Sequence, residues 1–260
     1  MSDQTSPPGD STDEPTPESP VYPENQSSHT PELSRWRSGY IIAVFLLVLV
    51  GWPLLSILGP SSSGDALDEL TSGSRLGVYF NTGLLLWTVF LLVLSAQWAG
   101  RESLSALGFA QPRLSDPLVA FAFLFVANLT LNGLSWVFTS FGMAEPELTI
   151  KGLLPVSLGE RVGWILLSIS AGICEESCFR GFLLVKGKKW LGKWWPMVIA
   201  SSVAFGIGHL YQGTSGAILI AVYGVMFCVL RLVRGSLWPG IWAHIWQDLG
   251  AMALGGIAGY

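Results

Sequence analysis

Seven apolar segments, approximately 39–59, 76–98, 117–141, 162–185, 195–211, 215–234 and 237–256, follow one another with short connections. A helix needs about 20 residues, with a usual range of roughly 17–25, to cross the hydrocarbon core of a bilayer. Each segment reaches that range, 195–211 at its short limit. Backbone polar groups in lipid have no water to bond, so a run of this length must satisfy them internally as a helix. The pattern predicts an all-α, polytopic transmembrane bundle of about seven spans. Only 12% of the 260 residues are charged, about half the share found in soluble domains. Trp36, Trp52, Trp98, Trp190, Trp194, Trp195 and Trp238 fall near segment ends, where an interfacial aromatic belt would place them.

Residues 1–34 contain no Lys or Arg and are dominated by Ser, Thr, Pro, Glu and Asp. Such a composition buries too little apolar surface to offset chain entropy, so this tail is expected to be disordered. It holds seven acids, so the net charge of −4 is concentrated there and describes no binding surface. No nucleic-acid partner is expected. The tail lacks the basic start of a signal peptide, so no cleavable signal is expected. Asn25-Gln26-Ser27 is a glycosylation sequon in form only. Cys174, Cys178 and Cys228 lie in apolar runs and imply no disulfide framework. Cys174 and Cys178 are four apart beside two carboxylates; they read chiefly as small packing residues. No internal repeat is evident, which weighs against a transporter built from duplicated halves.

Lys and Arg set the orientation. One set of alternate connections carries ten: Arg35, Arg37, Arg101, Arg113, Lys186, Lys188, Lys189, Lys193, Arg231 and Arg234. The other carries three, Arg75, Lys151 and Arg161. The bias predicts a cytoplasmic N-terminus and an external C-terminus.

Six ionisable side chains lie inside apolar stretches: Glu175, Glu176, Arg180, His209, His244 and Asp248. A charged Asp, Lys or Arg at the centre of a membrane helix costs roughly 2.5–3.5 kcal/mol even on the lenient insertion scale, and such residues usually face a polar interior. At 1.5 Å rise per residue, Glu175 lies about 16 Å from Lys186, His209 about 21 Å from Trp195 and His244 about 12 Å from Ser236. The three depths suit one layer and a polar cavity inside the membrane. Glu176 and Arg180 are four apart, so a charge-cancelling pair accounts for them. Glu175 has no cation at that spacing. It must be neutral, hydrated or partnered by another helix, and a desolvated carboxylate is a natural general base. His209 follows the small-residue stripe Ala200, Ala204 and Gly208, where a neighbouring helix can approach closely; it either bonds a backbone carbonyl or serves the site. His244 and Asp248 share a face and can bond each other.

The succession E-E-x-x-x-R (Glu175 to Arg180), F-x-x-x-H (Phe205 to His209) and H-x-x-x-D (His244 to Asp248) resembles the CAAX-processing and bacteriocin-processing (CPBP) family of intramembrane endopeptidases. The resemblance covers about residues 100–256, including Leu107-Gly108-Phe109. It divides the chain into a tail (1–34), two N-terminal transmembrane helices (35–98) and a CPBP-like protease core (99–260). The prenyl-protein branch of that family cleaves the last three residues after a lipidated cysteine; other members are immunity-related and abortive-infection proteins.

The resemblance implies hydrolysis of a peptide bond in a membrane-embedded peptide or protein. Glu175 would activate water, aided by His209, with Glu176 and Arg180 supporting it. His244 and residue 248 would hold the oxyanion. Relatives often have Asn at that last position, and an ionised Asp248 cannot donate a hydrogen bond, so it must be protonated or orient His244. Two mechanisms stay open: a metal-free glutamate base, or zinc held by Glu175, His209 and His244 with one position left for water. Two other functions also stay open. One is a non-catalytic membrane immunity or scaffold protein; the other is a transporter or proton relay using the same buried acids.

Overall fold

The computed structural model describes Met1 and residues 34–58, 74–143 and 152–257. The expected disorder of the tail, the Asn25 sequon and Lys151 lie outside the described residues. Every described segment of regular structure is helical. The first apolar segment is a helix in three pieces, α1 (Arg35–Leu46), a π-helical turn (Leu47–Gly51) and α2 (Trp52–Leu58). Pro53 lies just beyond that turn, after Trp52. A proline inside a helix has no N–H to give and crowds the carbonyl four residues back, which accounts for the widened ladder.

Helix α3 (Arg75–Ala99) is N-capped by the Ser74 hydroxyl, which accepts from Gly77 N. A short α4 (Leu104–Leu107) and α5 (Asp116–Ser140) follow. Helix α6 (Leu158–Glu175) opens with a capping box, Ser157 and Glu160 each bonding the other's backbone N–H. It then passes through a second π-helical turn (Glu176–Leu183) into α7 (Leu184–Leu191). Helices α8 (Trp195–Ile207), α9 (Gly213–Arg234) and α10 (Trp238–Ile257) complete the chain, with a 3-10 turn (Leu210–Gln212) between α8 and α9.

All seven apolar segments are therefore helical. By length and composition, five of the helices can cross a membrane: 35–55, 75–99, 116–140, 158–191 and 210–234. Helix α8, at 13 residues, is about 20 Å long, short of a hydrocarbon core about 30 Å thick. Helix α10 carries His244, Gln247 and Asp248 and is also outside the five. The count of seven crossings thus rests on the sequence alone.

Inside and outside are apolar in different ways. On α5, Phe121, Phe125, Leu129 and Trp136 are each at least 65% exposed, which suits a face whose solvent is lipid. The polar side chains are turned inward instead: Glu175, Glu176, Ser177, Arg180 and His244 are buried. Helix α6 packs between α3 and α10, and α10 also packs on α5. The α6–α10 contact is close because of Gly172, where a Cβ would come within 2.6 Å of the Ile245 side chain and 3.1 Å of Ile241 O. Trp164 Nε1 donates to Asp248 O across the same pair of helices, and Trp87 Nε1 donates to Ser170 Oγ between α3 and α6.

One end of the bundle gathers the cationic connections. Glu102 accepts from Lys186 Nζ at 2.6 Å and Lys189 Nζ at 3.0 Å. Asp116 pairs with Arg234 at 2.9 Å, and Arg231 donates to Leu107 O. Gly108, at φ +111°, leaves room for that arginine: a Cβ there would lie 2.5 Å from its guanidinium. Gly108 O in turn accepts from Leu237 N, tying this loop to the start of α10. Burial alone would raise the Glu102 carboxyl. The hydrogen bonds from Lys186 and Lys189 outweigh it and hold the group below the ordinary carboxylate range.

Candidate active site

The site is built where the second π-helical turn meets α10. All eight residues of the turn, Glu176 to Leu183, are buried. Ser177 Oγ donates to Ile173 O, and a hydroxyl that competes for a carbonyl one turn back loosens the α ladder. Such turns often coincide with functional sites. Glu176 and Arg180 stay paired through it, Arg180 Nη1 donating to Glu176 Oε1 at 2.8 Å with both side chains 1% exposed. The guanidinium lies against two aromatic faces, 4.2 Å from the Phe205 centroid and 4.9 Å from that of Phe227. In a desolvated setting each such contact contributes up to about 2 kcal/mol.

His244 reaches in from α10. Its Nδ1 donates to Glu176 Oε1 at 3.3 Å, so one carboxylate oxygen serves both the arginine and the histidine. Its Nε2 faces Glu175 Oε2 at 3.7 Å, too long for a direct hydrogen bond. Gly240, one turn before His244, admits the other Glu176 oxygen: a Cβ there would come within 2.9 Å of Oε2. Of the three states open to Glu175, partnership by another helix is thus the nearest, and it is incomplete. Among the described residues, Glu175 Oε2 and Arg180 Nη2 are buried without a hydrogen-bond partner.

His209 stands at the break after α8 rather than within a helix. The helix ends at Ile207 and Gly208 caps it. Its Nδ1 lies 2.8 Å from Phe205 O. A carbonyl can only accept, so Nδ1 carries the hydrogen and Nε2 the lone pair. The His209 ring lies 4.7 Å from Phe205, whose ring is also 6.3 Å from His244. Phe205 therefore joins the histidines and the arginine. Asp248 lies within electrostatic range of Glu175 and His244, but His244 turns its ring to the glutamates and makes no hydrogen bond to it. The structure brings Glu175, Glu176, Arg180 and His244 into direct contact, sets His209 one ring away and leaves Asp248 one turn beyond.

A cavity of about 10 Å³ adjoins Glu175. Its lining includes Val48 and Trp52 from the kinked first helix, Leu86 and Val89 from α3, and Cys174 and Cys178. Trp52 also packs on Gly208, where a Cβ would lie 2.9 Å from the indole. Of the stripe expected to let a helix approach, Gly208 does so here, towards Trp52 of α2. The approach of α9 is made instead at Gly206, where a Cβ would meet Ala217 O at 2.5 Å. This wall and the aromatic cradle of Arg180 were not marked by any charge or spacing in the sequence.

The residues as placed do not gather around a metal ion. Among the described residues no three His, Cys, Asp or Glu side chains cluster to hold one. His244 Nδ1 is taken by Glu176, and its Nε2 and Glu175 Oε2 have no third ligand gathered beside them.

Residues 157–250 match a family model described as type II CAAX prenyl endopeptidase Rce1-like. The matched segment supports the CPBP resemblance. It spans α6 to α10 and contains all six site residues, while the wall supplied by Val48, Trp52, Leu86 and Val89 lies outside it. No curated protein and no solved structure matches the chain. Five helices long and apolar enough to cross a membrane, together with this match, mark an integral membrane protein.

Proposed function

We propose that this protein is an intramembrane endopeptidase that hydrolyses a peptide bond in a membrane-associated peptide or protein with water activated by Glu175. The observation that carries the reading is the buried Glu175 Oε2 without a hydrogen-bond partner, 3.7 Å from His244 Nε2. A base needs a free lone pair within reach of a water, and burial strengthens every charge that develops there. In the proposed step Glu175 takes a proton from water as the water oxygen bonds to the carbonyl carbon. The carbonyl π pair moves onto oxygen. When the C=O re-forms, the C–N bond breaks and Glu175 returns its proton to the leaving amine. Glu176 holds His244 and Arg180 in place, and the lone pair on His209 Nε2 gives the water a second acceptor.

The test uses the full chain purified in detergent and a fluorogenic peptide ending in a prenylated cysteine and three further residues. Cleavage by the wild type, absent in Glu175→Gln and unchanged by a chelator, supports the metal-free reading. Loss on chelation and recovery with zinc would transfer the chemistry to a metal.

The proposed orientation is a cytoplasmic N-terminus, seven crossings and an external C-terminus. The cationic loops at one end of the bundle support it. Reporter fusions at Gly64, Lys188 and Tyr260 should read outside, inside and outside. A cytoplasmic reading at Tyr260 would mean that α8 or α10 does not cross.

A further inference from the structure

We infer that the Tyr223 hydroxyl, together with Arg180 Nη2, donates to the oxygen of the scissile carbonyl. The inference rests on the hydrolytic reading above and adds a residue that none of the three motifs contains. Tyr223 is 8% exposed, and among the described residues its hydroxyl is buried without a hydrogen-bond partner. Arg180 Nη2 is in the same condition. Buried donors are almost always satisfied, and an exception calls for a reason. Two orphaned donors around Glu176 have a common one: an acceptor oxygen that arrives with the substrate.

Geometry joins the two donors through Phe227. The Tyr223 ring lies 4.5 Å from the Phe227 ring. Phe227 in turn lies 4.9 Å from the Arg180 guanidinium and 5.7 Å from the His244 ring. Tyr223 stands one turn before Phe227 on α9, about 6 Å along the axis. Helices α9 and α10 run antiparallel, so Tyr223 stands one turn past His244, near the level of Asp248. It lies within electrostatic range of Glu176, Asp248 and Arg180. Phe123 stacks on the outer side of its ring at 5.9 Å and fixes the phenol plane, so the donor is preorganised. His244 is the less suitable donor as placed, because its two nitrogens already face Glu176 and Glu175. An ionised Asp248 has no hydrogen to give.

The bound oxygen is a carbonyl rather than a substrate carboxylate. Arg180 has its charge offset by Glu176 at 2.8 Å, so the pair offers hydrogens without net positive charge. Such a pair gains most from an oxygen whose charge develops during the reaction, and the gain then appears in kcat.

Tyr223→Phe tests this cleanly, because it removes only the unpartnered hydroxyl and keeps the ring packing. With the prenylated fluorogenic peptide and the full chain in detergent, kcat should fall by roughly 10²-fold, as for loss of one oxyanion donor. KM should stay within about twofold, and the melting temperature should hold or rise. A wild-type kcat in the variant overturns the inference and makes Tyr223 a packing residue. A raised KM with unchanged kcat also overturns it, since that marks ground-state binding. Wild type and Glu175→Gln run alongside: a wild-type chain that cleaves nothing removes the hydrolytic reading and this inference together. Full cleavage by wild type and Tyr223→Phe, with Glu175→Gln inert, removes only the donor.

Discussion

Two buried ionic clusters in this protein use the same chemistry to opposite ends. At the loop end, Glu102 gives one oxygen to Lys186 and the other to Lys189, and Lys186 is almost fully buried. Both carboxylate oxygens are taken. In the centre, one Glu176 oxygen serves both Arg180 and His244, and the cluster around it leaves Glu175 Oε2 and Arg180 Nη2 without partners. A closed cluster holds helices together. An open one keeps buried, desolvated atoms ready for something that is not part of the fold, and that readiness costs free energy that packing elsewhere must offset.

The comparison is broken most directly at the two neighbouring glutamates. Glu175→Gln should abolish peptide cleavage, a loss of at least about 10²–10⁴-fold, the usual worth of a general base. Its melting temperature in detergent should barely move, because the lost oxygen bonds nothing. Glu176→Gln should do the reverse. It leaves Arg180, 1% exposed, with no full counter-charge, and breaking a buried pair from one side costs about 3–5 kcal/mol. Thermal denaturation of the two variants beside their turnover decides it. A destabilised Glu175→Gln, or a Glu176→Gln that melts like wild type, would remove the distinction between open and closed clusters.

Much of this arrangement is legible in the sequence, for reasons that follow from the bilayer. Lipid forces long apolar runs to be helices, so all seven segments are recovered. It also makes a buried charge expensive, so Glu175, Glu176, Arg180 and His244 mark themselves. What is not legible depends on contacts distant in sequence. The π-helical turn at Glu176–Leu183 has no proline to announce it. The early end of α8 at Ile207 depends on the turn around Gly208 and on Trp52 packed against it. Tyr223 looks like any aromatic of an apolar helix until its hydroxyl is found without a partner. The wall beside Glu175 comes from Val48 and Trp52, more than a hundred residues upstream.

The closed cluster at the loop end can be opened in the same way for a smaller effect. Glu102→Gln leaves the Lys186 ammonium buried with a neutral partner, which should cost about 1–3 kcal/mol. Lys189, whose side chain is 64% exposed, adds little. The sign with pH follows from the lowered Glu102 carboxyl. Its contribution is complete above the unfolded carboxylate range, roughly 4.3 for Glu, and is lost as pH falls through the lower folded value. Melting curves in detergent should therefore show wild type and variant converging in acid and separated at neutral pH. A constant gap at all pH values would assign the loss to shape rather than charge.

Asp248 is the carboxylate between these extremes, and it should give the smallest change. It lies in the field of Glu175 and His244 but receives no hydrogen bond from the histidine; only its backbone carbonyl is engaged, by Trp164. If it belonged to the closed network, Asn in its place would break a bond and lower the melting temperature. If it were an acceptor essential to the reaction, Asn would stop turnover. As placed, its charge repels that of Glu175, so Asp248→Asn removes an unfavourable interaction and adds a donor near Tyr223. Turnover of the prenylated peptide should stay within about tenfold of wild type, 1.4 kcal/mol in barrier terms. Asp248→Leu, which can neither accept nor donate, should lose more. An Asn variant as inactive as the Leu variant, with both folded, would show that the negative charge itself does chemistry here and that the open cluster extends one turn further along α10.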